Sequence, residues 1–163
     1  METILIVEDN RAYARTTANW LLKNGINARY VLSVDAAKVF LGSHEVDLVL
    51  SDFLLNDSNG VELLEWMKAQ GYCMPFLIMT GYGDILGAVE AVKKGAADYL
   101  PKPVQTEEVL GIIRRLLDCS NRKKVVERAF YVGKSPLAVK LQDIVRVVAP
   151  ADSLSVLILG ASG

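Results

Sequence analysis

The chain has 163 residues, of which 52% are hydrophobic and 23% charged, with a formal net charge of -1. That is the composition of a soluble globular protein of one domain and part of a second, and its near-neutral charge argues against bulk affinity for nucleic acid. No apolar run reaches the roughly 20 residues needed to cross a bilayer, and the opening METILIV lacks a basic stretch ahead of its apolar residues, so a cytoplasmic protein is expected.

In chain order, short runs rich in Val, Ile and Leu fall at Ile4 to Val7, Ala28 to Leu32, Leu48 to Ser51, Phe76 to Met79 and Asp98 to Leu100. They have the character of strands buried on both faces. Between them lie amphipathic stretches of helical length: Arg11 to Asn24, Asp35 to Leu41, Val61 to Gln70, Ile85 to Lys94, and Glu107 onward. Gly25, Gly71 and Gly95 each follow a helical run, where a left-handed residue closes the last turn. Lys23, Lys93 and Lys94 sit at helix ends that favour cations, and Thr106 with Glu107 and Glu108 marks a helix start.

Five alternating strand–helix units with right-handed crossovers predict an α/β fold: a doubly wound, five-stranded parallel sheet in flavodoxin-like order 2-1-3-4-5. In that order the first and third strands are neighbours at the switch point, so Glu8, Asp9 and Asp52 converge with Thr80 and Lys102 at the carboxyl edge. Clustered carboxylates repel by several kcal/mol at about 4 Å and an effective dielectric near 20, unless a cation sits among them or their pKa values rise. Oxygen donors with no supporting His or Cys cluster suit Mg2+. A carboxylate beside Mg2+ and an ammonium can attack phosphorus, which casts Asp52 as nucleophile, Glu8 and Asp9 as metal ligands, Lys102 as the neutralising cation and Thr80 as a hydroxyl donor. Taken singly, Asp9 or Asn10 could cap the first helix, Thr80 could be a turn residue and Tyr99 a half-buried strand aromatic.

Four segments in register, ILIVED, SDFLLNDSNG, IMTGYGD and GAADYLPKP, resemble the receiver domain of two-component response regulators from about Thr3 to Leu117. The resemblance implies that Asp52 is the phosphoacceptor for a histidine kinase, that Asp9 binds Mg2+ directly and Glu8 through water, and that the Leu54 backbone carbonyl is a further metal ligand. It also implies that Thr80 is the switch hydroxyl, Lys102 the phosphate-binding lysine, Tyr99 the aromatic that turns inward, and the Lys102–Pro103 peptide cis. Glu8 stands where aspartate is commoner and Asn56 where many receivers have proline, both of which bear on the lifetime of the phosphate. Two readings compete with this one. A pseudo-receiver would act as an interaction module without phosphate, and a flavodoxin-like cofactor binder would need a Ser-, Thr- and Gly-rich loop where EDNRAY is acidic.

Beyond Leu117 the helical spacing continues through Val125, Val126 and Phe130, and the basic residues Arg114, Arg115, Arg122, Lys123, Lys124 and Arg128 read as a solvated face. The expected division is a receiver over 1–118, a linker helix over 119–131 that pairs with its twin in a homodimer, and the opening of a second domain over 132–163. The last segment, with a helix from Pro136 to Ala149 and a strand from Ser155 to Leu159, resembles the start of the AAA+ ATPase domain of NtrC-type activators. Gly160 and Gly163 would begin its phosphate-binding loop, but the lysine and hydroxyl residue of that loop are absent from the sequence, so ATP hydrolysis is not expected. A longer regulator is implied, its DNA-binding helices elsewhere, with no membrane or nucleic-acid contact by this segment. Cys73, Cys119 and His44 fit no metal or catalytic spacing; the thiols read as reduced with packing roles, the histidine as a loop residue.

Overall fold

The structure, a computed structural model, describes residues 2–56, 58–81 and 85–129. The chain divides into two compact units, Met1–Lys123 and Lys124–Gly163, and only the helical residues up to Ala129 are described in the second. The helix, strand and glycine loop expected over 136–163, including Gly160 and Gly163, lie outside the described residues.

The elements alternate as expected: β1 (Thr3–Val7), α1 (Arg11–Lys23), β2 (Asn27–Val31), α2 (Val34–Ser43), β3 (Leu48–Asp52), α3 (Gly60–Ala69), β4 (Phe76–Thr80), α4 (Ile85–Lys93), β5 (Asp98–Pro101) and α5 (Glu107–Ala129). All strand pairs are parallel, in the order β2-β1-β3-β4-β5. The register sets Val7 beside Ser51, Asp52 beside Met79 and Thr80 beside Pro101, so the strand ends line up along one edge.

Side-chain alternation along the strands splits the core in two. Ile4, Ile6, Leu48, Leu50, Leu77 and Met79 pack under α1 and α5 with Leu21, Leu110, Ile113 and Leu117. Leu5, Val7, Val49, Phe76 and Ile78 pack under α2, α3 and α4 with Leu41, Leu63, Leu64, Met67 and Ala91. The central strands β3 and β4 are buried throughout, but β2 and β5 are not: Arg29, Tyr30, Tyr99 and Pro101 are exposed. Burial on both faces was expected of every strand; the edge positions of β2 and β5 leave part of each uncovered.

Three helices end alike. After α1, α3 and α4 a glycine at φ 81, 80 or 99 closes the turn, and the next residue donates back across five positions, Ile26 to Leu21, Tyr72 to Met67 and Ala96 to Ala91. This double closure satisfies the terminal carbonyls and needs a left-handed residue. Helix α2 ends instead at His44, whose exposed ring stacks on Phe40 with centroids 4.1 Å apart. Cys73 and Cys119 are free but exposed, which corrects the packing role expected of them: neither contributes to the core.

Candidate functional site

The site begins with a cap. At the end of β1, Asn10 and not Asp9 caps α1, its Oδ1 accepting from the Ala12 and Tyr13 N–H groups at 3.1 Å each. That releases the Asp9 carboxylate, which accepts instead from the Asn56 N–H at 3.1 Å and so joins the end of β1 to the loop after β3. Glu8 is nearly sealed from solvent at 1% exposure, and its Oε1 accepts from the Asn10 N–H at 3.2 Å.

Asp52 ends β3, buried, in step with Leu48 and Leu50 and therefore on the α1/α5 side of the sheet. Lys102 follows β5 with its N–H bonded to the Thr80 carbonyl at 2.8 Å. Its ammonium lies 2.7 Å from Glu8 Oε2 and 2.7 Å from Asp52 Oδ2. One oxygen each from Glu8, Asp9 and Asp52 lies within 4.8 Å of the others, the one such acidic or metal-ligating cluster among the described residues. Of the five residues expected to converge at this edge, Glu8, Asp9, Asp52 and Lys102 lie together; Thr80 is joined to them through its backbone carbonyl, which accepts from the Lys102 N–H.

Charge in this cleft is held out of water, and the ionisable groups respond. Burial raises the pKa of Glu8 above the ordinary carboxylate value, the hydrogen bond from Lys102 pulls it back in part, and neighbouring Asp52 raises it again. For Lys102, burial works against the charged form, but hydrogen bonds to Asp52 and Glu8 outweigh it, and its pKa rises above the ordinary lysine value. Three carboxylates against one ammonium leave the cluster short of positive charge. An all-oxygen donor set of this kind fits a hard divalent cation such as Mg2+, with Asp9, Asp52 and Glu8 as its holders.

Other expected residues lie around this centre. Thr80 ends β4, buried, in step with Phe76 and Ile78 on the α2–α4 side, whereas Asp52 continues the row on the α1/α5 side. Leu54 is two residues past Asp52, 61% exposed and bridged to Asn59. Tyr99 of β5 stands outside the cluster with 41% exposure, and Val89 and Val92 of α4 are likewise exposed. The Lys102–Pro103 peptide is cis, as expected.

Sequence reading missed Tyr13. Its ring lies under the Lys102 ammonium, 4.7 Å from centroid to Nζ, and its hydroxyl accepts from the Val104 N–H at 3.2 Å. The one hint in the sequence is its place three residues past the Asn10 cap, one helical turn along the edge that carries Asp9. Gln105, also unremarked, donates to the buried Thr17 hydroxyl of α1 at 2.7 Å.

Comparison with known proteins gives this geometry its kin. Response regulator protein FleR of Pseudomonas aeruginosa is 34% identical over 160 residues, covering 98% of this chain and 33% of its own length. DNA-binding transcriptional regulator NtrC of Proteus hauseri is 29% identical over 170 residues, covering 98% of this chain and 35% of its own. The crystal structure of NtrX from Brucella abortus in complex with ADP superposes with a TM-score of 0.72 at 29% identity, over 94% of this chain and 35% of that one. The chain thus spans about a third of the length of the curated relatives it matches. Residues 4–114 match the family described as the response regulator receiver domain, and they hold every member of the carboxylate–lysine cluster, so this chain belongs to the receiver domains of response regulators, alongside those of NtrC-type transcription regulators.

Proposed function

We propose that Asp52 accepts a phosphoryl group from the phosphohistidine of a sensor kinase, in a reaction that depends on Mg2+. The observation that carries this reading is the Lys102 ammonium bridging Glu8 and Asp52 at 2.7 Å each, with the Asp9 carboxylate alongside. In the transfer a bond forms between an Asp52 Oδ and phosphorus as the phosphorus–nitrogen bond breaks, and the electron pair returns to the imidazole nitrogen, which takes up a proton. Magnesium, when bound by Asp9, Asp52, the Leu54 carbonyl and, through water, Glu8, supplies positive charge opposite the phosphoryl oxygens. Lys102 supplies the rest, by turning an N–H toward the phosphoryl group.

Phosphate at Asp52 then draws the Thr80 hydroxyl toward it and Tyr99 inward, biasing a pre-existing equilibrium in the face made by α4, β5 and α5. The exposed Val89, Val92 and Tyr99 support that face as the output surface. In the longer protein, the receiver over 1–118 and a linker helix over 119–131 act as a homodimer that controls assembly of the ATPase domain opening at 132–163. The cytoplasm is the proposed place of this work; among the described residues no helix is long and apolar enough to cross a membrane.

Incubation with acetyl phosphate and Mg2+ followed by intact-mass measurement tests the central step. The wild-type chain should gain one phosphoryl group, and Asp52→Asn should gain none. An unmodified wild-type chain, or an adduct that survives Asp52→Asn, refutes it.

A further inference from the structure

We propose that Tyr13 is the positioning residue for Lys102, setting where the ammonium sits relative to the Asp52 carboxylate and so how well it meets an incoming phosphoryl group. The inference rests on the receiver reading above and adds to it a residue on α1.

The difficulty Tyr13 resolves lies in the backbone. Lys102 is the first residue past β5, and its own N–H reaches the Thr80 carbonyl at 2.8 Å, the last sheet-like bond of that strand. Pro103 has no N–H to offer. The next donor is Val104, and it is the Tyr13 hydroxyl, 91 residues away in sequence, that accepts from it at 3.2 Å. The chain is therefore fixed on the near side of Lys102 by β4 and on the far side by a side chain of α1.

The tip of the lysine is fixed by the same residue. A lysine carries a compact charge on a flexible four-carbon stem and does not orient itself. Here Glu8 and Asp52 hold it from two sides, and the face of the Tyr13 ring closes a third at 4.7 Å, within the range where an aromatic face attracts a cation. An aromatic face suits this place better than another acceptor would. It attracts the charge without adding a fourth carboxylate to a cluster already rich in them, and it leaves the ammonium hydrogens for oxygen. Because that attraction acts from below the ammonium, Lys102 can turn a donor from Glu8 toward a phosphoryl oxygen without leaving the ring.

Tyr13 is itself well held. Its ring packs against the core shared by α1 and α5, and its backbone N–H is one of the two bound by the Asn10 cap at 3.1 Å. Cap, ring and lysine form one connected path from the start of α1 to the phosphoacceptor.

Five chains test this: wild type, Tyr13→Leu, Tyr13→Phe, Lys102→Ala, and Tyr13→Leu combined with Lys102→Ala. The rate of adduct formation with acetyl phosphate and Mg2+ should fall about tenfold for Tyr13→Leu, within the roughly 2- to 30-fold range of a partly desolvated cation–aromatic contact. Tyr13→Phe, which keeps the face and loses the hydroxyl, should recover most of that loss. In the Lys102→Ala background, Tyr13→Leu should change the rate by less than about twofold, because a residue that works through the lysine has nothing left to position. A second readout needs no phosphate: the Lys102 ε-methylene resonances should lie upfield in the wild type through the ring current of Tyr13 and move downfield in Tyr13→Leu. Equal slowing in both backgrounds, or lysine resonances unmoved by Tyr13→Leu, overturns the inference and leaves the receiver reading intact. A wild-type chain that forms no adduct overturns the receiver reading, and the role of Tyr13 with it.

Discussion

The two faces of the sheet are equally well buried and differently employed. Under α1 and α5 the core runs straight into the charged cluster: Asp52 continues the row of Leu48 and Leu50, and Tyr13 and Thr17 of α1 reach over to Val104 and Gln105. Under α2, α3 and α4 the core ends at Thr80, and the next contact outward is the ring of Phe53 against Gly87 of α4, so close that a methyl group there would overlap it. One face carries Asp52 and the Tyr13 support of Lys102; the other carries Thr80 and α4.

Removing equal bulk from each side asks whether the faces are independent. Leu110→Ala and Leu63→Ala, both fully or almost fully buried, should each cost about 3 kcal/mol by chemical denaturation. Their sum should be additive to about 0.5 kcal/mol, since the sheet lies between them. Marked coupling would dissolve the distinction.

Gly60→Ala comes next. A methyl group at Gly60 would overlap the Asp52 carbonyl and approach Ser51 Oγ at 2.9 Å and Ile78 Cδ1 at 3.0 Å. Because a strand backbone cannot easily yield, about 2 kcal/mol of stability should be lost. Gly42→Ala, in open space on α2, should be neutral or slightly stabilising in the same assay.

On the opposite face, Asn10→Ala removes the cap of α1 and should cost about 1 kcal/mol. If the path from the cap to Lys102 is real, the variant should also slow phosphorylation while Gly42→Ala does not.

The smallest effect concerns pH. Folded Lys102 keeps its proton to a higher pH than an unfolded lysine, so its pairing stabilises the metal-free protein fully below the ordinary lysine value and is lost as pH climbs through the raised folded one. Lys102→Met should flatten that alkaline limb of a stability–pH curve.

Much of this was written locally in the sequence. The glycines after α1, α3 and α4 announce their left-handed turns because no other residue adopts φ near 80 cheaply, and the strand order follows from alternating units and crossover handedness. Glu8, Asp9, Asp52 and Lys102 were legible because each ends an apolar run. Tyr13 was not, since its partners stand about 90 residues away and nothing in its own neighbourhood distinguishes a ring that packs from a ring that supports a charge. The exposed sides of β2 and β5 and the exposed thiols escaped for a related reason: solvent access belongs to an element's place in the assembled sheet, which apolar spacing leaves open.

The bond from the Asn56 amide to Asp9 turns a loop into a gauge. The oxygen that accepts this hydrogen bond belongs to a carboxylate that a cation would also claim, so filling the cleft and holding the loop draw on one side chain. The exchange rate and chemical shift of one backbone amide, four residues downstream of Asp52, would then read out cleft occupancy in solution without any label at the reacting atoms.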